Sequence, residues 1–279
     1  MSVQKVQEYY GFTRLPFRSD LAPSMLARTQ AHTEATARIT WCVNQRTIGV
    51  ITGEVGAGKT VAIRAATTAL DTSRHATIYL PNPVVGTRGM LHHIVAALGQ
   101  VPSYHKATLV PQAAQALASE QAERGRTPVL VIDEAHLLDN QQMETIRMLT
   151  NHDMDSGSPF ATLLVGQPTL RQRLRLGVLA ALDQRISIRY ALPGMQPKET
   201  KDYINHHLKI AGRTDTLFSD DAINHIHIAS RGYPRAVNNL ATNALTAALW
   251  CVKEFGQCLW FYAAFCSSCF WFHTVVGVW

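Results

Sequence analysis

Eight residues constrain this chain more than any others: Gly53-Glu54-Val55-Gly56-Ala57-Gly58-Lys59-Thr60, which fit the spacing G-x-x-x-x-G-K-[ST]. Glycines at Gly53, Gly56 and Gly58 open backbone conformations closed to residues with a β-carbon, so successive N–H groups can turn inward onto phosphate oxygens. Lys59 then neutralises the outer phosphates, and Thr60 offers its hydroxyl to Mg²⁺ at the start of a helix whose positive end faces the same anions. The flanks are the ones this chemistry needs. Ile48-Gly49-Val50-Ile51-Thr52 reads as a buried strand, and Val61 to Leu70 as a helix. ATP and Mg²⁺ are therefore the expected ligands, with contacts running from Gly53 through Glu54, Val55, Gly56, Ala57, Gly58, Lys59 and Thr60 to Val61.

The second informative stretch is Pro128-Val129-Leu130-Val131-Ile132-Asp133-Glu134-Ala135-His136. An unbroken apolar run followed by two carboxylates describes a parallel strand buried on both faces, with acids at its C-terminal end, where open α/β sheets hold ligands. Asp133 is expected to hold Mg²⁺ through water, and Glu134 to polarise the water that attacks the terminal phosphate. Phe160 to Val165 is a further buried strand, ending in Gly166-Gln167-Pro168. In the usual strand order Gln167 falls beside the strand of Asp133, where its amide can sense the γ phosphate or position the water. Arg185, in Asp183-Gln184-Arg185-Ile186, precedes a strand from Ile186 to Tyr190. A guanidinium at the rim of such a domain suits the charge that builds on phosphoryl oxygens in a neighbouring subunit's site. Arg171, Arg173 and Arg175 form a basic stripe, read as a solvated face ahead of DNA contact. The fold class that follows is α/β, a P-loop three-layer αβα core around a parallel sheet, followed by a small α-helical lid.

At 279 residues, 47% of them hydrophobic, the chain has room for one large domain and a smaller satellite. Its formal charge of +6 leans towards an anionic partner. Residues 1–32 are read as an arm. Its Phe12 and Pro16 suit closure over an adenine ring, and equally suit ordinary packing of a terminal segment. Residues 33–193 form the ATPase core, in which an Ala-rich helix is expected from Pro111 to about Arg124. After Pro193-Gly194 the pattern is wholly helical, giving a lid over residues 194–250 from Lys198 to Ile210, Ser219 to Ser230 and Pro234 to Trp250. Gly232-Tyr233-Pro234-Arg235 puts Arg235 on the first turn of the last helix, able to reach a phosphate. His92 and His93 are helix neighbours that point apart, and His206, His207, His225 and His227 match no compact metal spacing. Surface or structural roles are assigned to them all. Cys42 is the one cysteine before Cys251, which fits a reducing, cytoplasmic location.

Together, Gly11-Phe12 with Pro16-Phe17, GEVGAGKT, VLVIDEAHLL, VGQP, DQRI and GYPRAVN make residues 5–250 resemble the AAA+ ATPases of the ExeA type. Transposition ATPases of the TniB and TnsC kind are related to these. The resemblance implies ATP hydrolysis, an opening near the adenine, Gln167 as first sensor and Arg235 as second. It also implies Arg185 as an arginine finger, acting across a boundary in a homo-oligomer formed on ATP binding. Asp133-Glu134-Ala135-His136 spells a helicase signature too, but no second RecA-like domain accompanies it. Two outputs are carried forward. One is a regulator of transposition that binds double-stranded DNA, through Arg88, Lys106 and the arginine stripe, and passes a target site to a transposase. The other is an ATPase of secretion or envelope assembly. The short basic chain favours the first.

From Cys251 the composition changes, with four of the five Cys and four of the five Trp between Trp250 and Trp279 and no charged residue after Glu254. Phe255 to Trp279 is long enough to cross a bilayer of about 30 Å, so a membrane anchor through residues 255–279 is one reading. The density of Cys, Trp and Phe favours the other, a segment translated out of frame. Cys266, Cys269 and His273 imitate a zinc spacing, with Cys258 as the only further ligand, and are set aside.

Overall fold

The computed structural model describes residues 3–18, 25, 27, 29–151 and 157–255. Both readings of the tail concern residues beyond 255 and lie outside this range. Five parallel strands form the sheet: β1 (Ile48–Gly53), β2 (His75–Leu80), β3 (Thr127–Ile132), β4 (Ala161–Gly166) and β5 (Ile186–Leu192), in the order β2-β3-β4-β1-β5. Hydrophobicity explains which strands lie in the middle. β1, β3 and β4 carry unbroken buried runs and take the middle, whereas β2 and β5 alternate buried with exposed residues and take the edges.

Successive side chains of a strand point to opposite faces, so each apolar run feeds two layers. On one face Ile51, Val129, Val131, Leu163 and Val165 pack against α2 (Gln30–Asn44) and α3 (Lys59–Ala69). On the other, Val50, Leu130, Ile132 and Leu164 meet α4 (Gly86–Ala97), α5 (Lys106–Ala122), α6 (Asn140–Leu149), α7 (Pro168–Leu174) and α8 (Ala180–Gln184). The result is the three-layer αβα core expected from the motifs.

Two helix starts differ in kind. α6 opens with a capping box: Asp139 Oδ1 accepts the Gln142 N–H at 2.6 Å, and Gln142 Oε1 accepts the Asp139 N–H at 2.9 Å. α5 begins at Lys106, ahead of Pro111, where the sequence suggested the start. The His105 carbonyl accepts N–H groups from Thr108 and Leu109 at 3.2 and 3.0 Å, so the first turn closes before the proline. Burial of Leu109, Ala113, Ala116 and Leu117 offsets the missing bond inside the helix, which costs about 3 kcal/mol.

Residues up to Thr29 together with those from Gly194 make a second compact unit. It contains α1 (Val3–Tyr10), α9 (Pro197–Ile210), α10 (Asp220–Ser230) and α11 (Pro234–Phe255). Tyr10, Phe12 and Phe17 enter one apolar cluster with Ile204, Leu208, Phe218, Ile226, Val237 and Leu245. The Tyr10 hydroxyl donates to the Leu245 carbonyl at 2.9 Å. Gly194 and Gly232 bring two backbone segments together. A β-carbon on Gly232 would stand 2.2 Å from the Met195 carbonyl oxygen, one on Gly194 equally close to that of Arg231, and the Met195 N–H donates to Gly232 at 2.9 Å. His207 is 3% exposed and stacks on Phe17 at 5.5 Å; burial pulls its pKa down to about 4, so it is neutral at pH 7. Among the described residues no helix is long and apolar enough to cross a membrane.

Candidate nucleotide-binding site

β1 delivers the chain at Gly53, and α3 takes it up at Lys59. Between them the Ala57 N–H donates to Glu54 at 3.1 Å and folds the loop back. Gly58 has φ +91°, and a β-carbon there would sit 2.3 Å from Nε2 of His32 on α2, so conformation and close approach both demand glycine. No side chain caps α3, which leaves its first N–H groups for an anion. Lys59 is only 8% exposed, and its Nζ donates to the carbonyls of Gly53 and Glu54, each at 2.9 Å.

Asp133 follows β3 and is 5% exposed. Its Oδ2 accepts the Thr60 hydroxyl at 3.2 Å and the Tyr79 hydroxyl at 3.0 Å, while Oδ1 accepts the Glu134 N–H at 2.8 Å. The phosphate loop and the acidic strand end therefore meet directly, although β4 separates their strands. Burial, with the Asp133 carboxylate beside it, pushes the Tyr79 phenol up to about 12, so it remains a donor. Glu134 takes φ +50°, a left-handed conformation that costs a non-glycine residue about 1–3 kcal/mol, and its carboxylate is half-exposed. Its Oε2 lies 3.3 Å from His136 Nδ1, with no hydrogen bond between them. Arg173 Nη1 donates to the His136 carbonyl at 2.6 Å, tying this turn to α7.

Thr60 and Asp133 present hard oxygens of the kind Mg²⁺ prefers, and the Lys59 ammonium with the uncapped N–H groups of α3 suits phosphate. The residues present thus fit a magnesium nucleotide.

A model of the AAA domain matches residues 43–174. General secretion pathway protein A of Aeromonas hydrophila is 32% identical over 246 residues, covering 86% of this chain and 44% of the relative. Residues 43–174 of this chain form an AAA domain. The chain spans less than half the length of that curated relative. Two solved structures share the fold. One is the ORC2 protein of Aeropyrum pernix in ADPNP–ADP complexes, with TM-score 0.62, 16% identity and coverage of 86% and 67% of the two chains. The other is the ORC1 protein of Aeropyrum pernix in complex with DNA, with TM-score 0.61, 13% identity and coverage of 84% and 63%.

The remaining predicted residues fall in several places. Gln167 sits at the N-terminal cap of α7, at the end of β4, between the strands that end in Gly53 and before Asp133. Arg185 Nη1 lies against the C-terminal end of α6, 3.4 Å from the Arg147 carbonyl and 3.3 Å from Thr150 Oγ1. Arg235 is exposed on the first turn of α11, where a cation opposes the helix dipole and gains nothing for stability. Phe12 and Pro16 are buried, Phe12 inside the cluster of the helical unit. The arginine stripe divides. Arg171 and Arg175 line an open cleft with Asp183 and Arg189, while Arg173 turns inward. Tyr79 and His32 carried no sequence signal, because each reaches the site from an element whose neighbour is set by sheet order or helix packing.

Proposed function

We propose that this AAA+ chain hydrolyses ATP with Mg²⁺, assembles into a homo-oligomer when nucleotide is bound, and acts on double-stranded DNA as a regulator of transposition. The observation carrying the hydrolytic part is the convergence of Lys59, Thr60 and Asp133 at the ends of two strands. Bound Mg-ATP supplies a terminal anhydride bond open to attack by water. Lys59 exchanges its two loop carbonyls for phosphate oxygens. Thr60 and Asp133 would hold the metal, Thr60 through its hydroxyl and Asp133 through water. Glu134 accepts the proton of the attacking water, and Gln167 orients that water. Arg235 neutralises phosphate from the lid, and Arg185 acts on the neighbouring copy.

The DNA reading is supported by charge. Between Asp71 and Glu120 the sequence contains no acidic residue and carries Arg74, Arg88 and Lys106. The Arg88 guanidinium lies 4.7 Å from the ring centroid of Tyr104, which is 75% exposed, so an aromatic face pre-positions the cation. The Aeropyrum pernix ORC1 structure, of the same fold, is a complex with DNA. A transposase is the partner this reading entails. The 32% identity to general secretion pathway protein A favours the second reading, an ATPase of a secretion system.

The test is turnover of the full chain with and without duplex DNA at two salt concentrations. Lys59→Ala should abolish turnover, and Glu134→Gln should retain ATP without cleaving it; wild-type activity in either variant removes the assignment. Stimulation by DNA that fades with salt supports the DNA reading, whereas turnover indifferent to DNA transfers the proposal to secretion.

A further inference from the structure

We propose that Tyr79 is a positioning residue for the metal half of this site, its hydroxyl fixing the Asp133 carboxylate in the orientation that receives the ion's water. The inference rests on the Mg-ATP reading and adds to it a residue from outside both nucleotide motifs.

Asp133 Oδ2 accepts two hydroxyls, from Thr60 at 3.2 Å and from Tyr79 at 3.0 Å. Their fates differ. Thr60 is the residue whose oxygen a P-loop gives to the ion, so its bond to Asp133 is surrendered when the site loads. Tyr79 is not a ligand in that scheme and keeps its bond, leaving it as the side chain that still orients Oδ2. The frame around it is fixed on three sides. Tyr79 pairs in register with Val131, and the next residue, Leu80, pairs with Ile132 and accepts the Asp133 N–H at 2.9 Å. The Tyr79 carbonyl accepts a hydrogen bond from His93 Nε2 at 2.9 Å, which anchors the strand end to α4. The phenol thus reaches Asp133 from a rigid edge strand, and a shorter hydroxyl at this position would not. Groups outside a metal's first shell hold its ligands in place, and losing one commonly weakens metal binding about 10–100-fold.

The experiment measures Mn²⁺ binding to the ADP-loaded full chain by electron paramagnetic resonance, beside ADP affinity in EDTA. Tyr79→Phe keeps the ring and removes only the donor. It should weaken Mn²⁺ about tenfold while leaving ADP affinity in EDTA unchanged. In an Asp133→Ala background the same substitution should change Mn²⁺ affinity less than about twofold, because the accepting oxygen is gone. Unchanged Mn²⁺ affinity in Tyr79→Phe overturns the proposal. So does a parallel loss of ADP in EDTA, which would mark Tyr79 as a packing residue. A wild-type protein with no ADP-dependent Mn²⁺ site would remove the Mg-nucleotide reading itself, a result distinct from the other two.

Discussion

Arg173 donates to the His136 carbonyl and to Asn140 Oδ1, so the middle member of the arginine stripe is committed inside the fold. Arg173→Ala should lower the unfolding free energy by about 1–2 kcal/mol, since a part-buried charged donor leaves a backbone acceptor behind. Urea titration reads that loss, and the salt slope of any DNA binding should stay unchanged; a lowered slope would return Arg173 to the surface role. Alternation in the sequence did not separate it from Arg171 and Arg175, because only the packing of α7 on the turn after Glu134 does so. Lys59, Thr60 and Asp133 were legible for the opposite reason. Their chemistry is written in contiguous residues, whereas Tyr79 acts from a strand whose partner no local pattern names.

α9 carries the clearest dependence on pH. Burial, reinforced by the neighbouring His206, keeps His207 neutral down to about pH 4, while the unfolded chain takes up the proton near 6.5. The unfolded state therefore binds more protons between those values. The stabilisation is complete above pH 6.5 and is lost as the pH falls towards 4, by up to about 3 kcal/mol. Thermal unfolding at pH 7 and pH 4.5 should show the helical unit losing stability, and His207→Leu should flatten the loss; an equal loss in the variant would place its origin elsewhere. Among the elements, β1, β3 and β4 were legible as buried strands from their unbroken apolar runs, whereas the order in which they pair is written in no single segment. Nor was the start of α5 legible. Pro111 is a strong local stop that burial of the surrounding leucine and alanine side chains overrides.

Across the whole molecule the two compact units are assembled differently, the sheet unit from one continuous segment and the helical unit from both sides of it. Removing residues 1–17 should therefore lower the melting temperature of the helical unit and leave the transition of the sheet unit in place, as followed by calorimetry. Loss of both transitions would mean the segment serves the entire chain. The opening aromatics show the limit of the sequence at this scale. Spacing allowed Phe12 either a ligand or a packing role, and contact with residues more than 180 positions away is what gives it neighbours such as Ile204 and Leu208. The bond from Tyr10 to Leu245 also has a consequence in time. On a ribosome the first of these residues emerges long before the second, so Tyr10, Phe12 and Phe17 wait uncovered while the sheet unit is completed. A chain arrested before Met195 displays three aromatics without any of the helices they pack on, a mark by which a chaperone or protease can tell unfinished protein from finished.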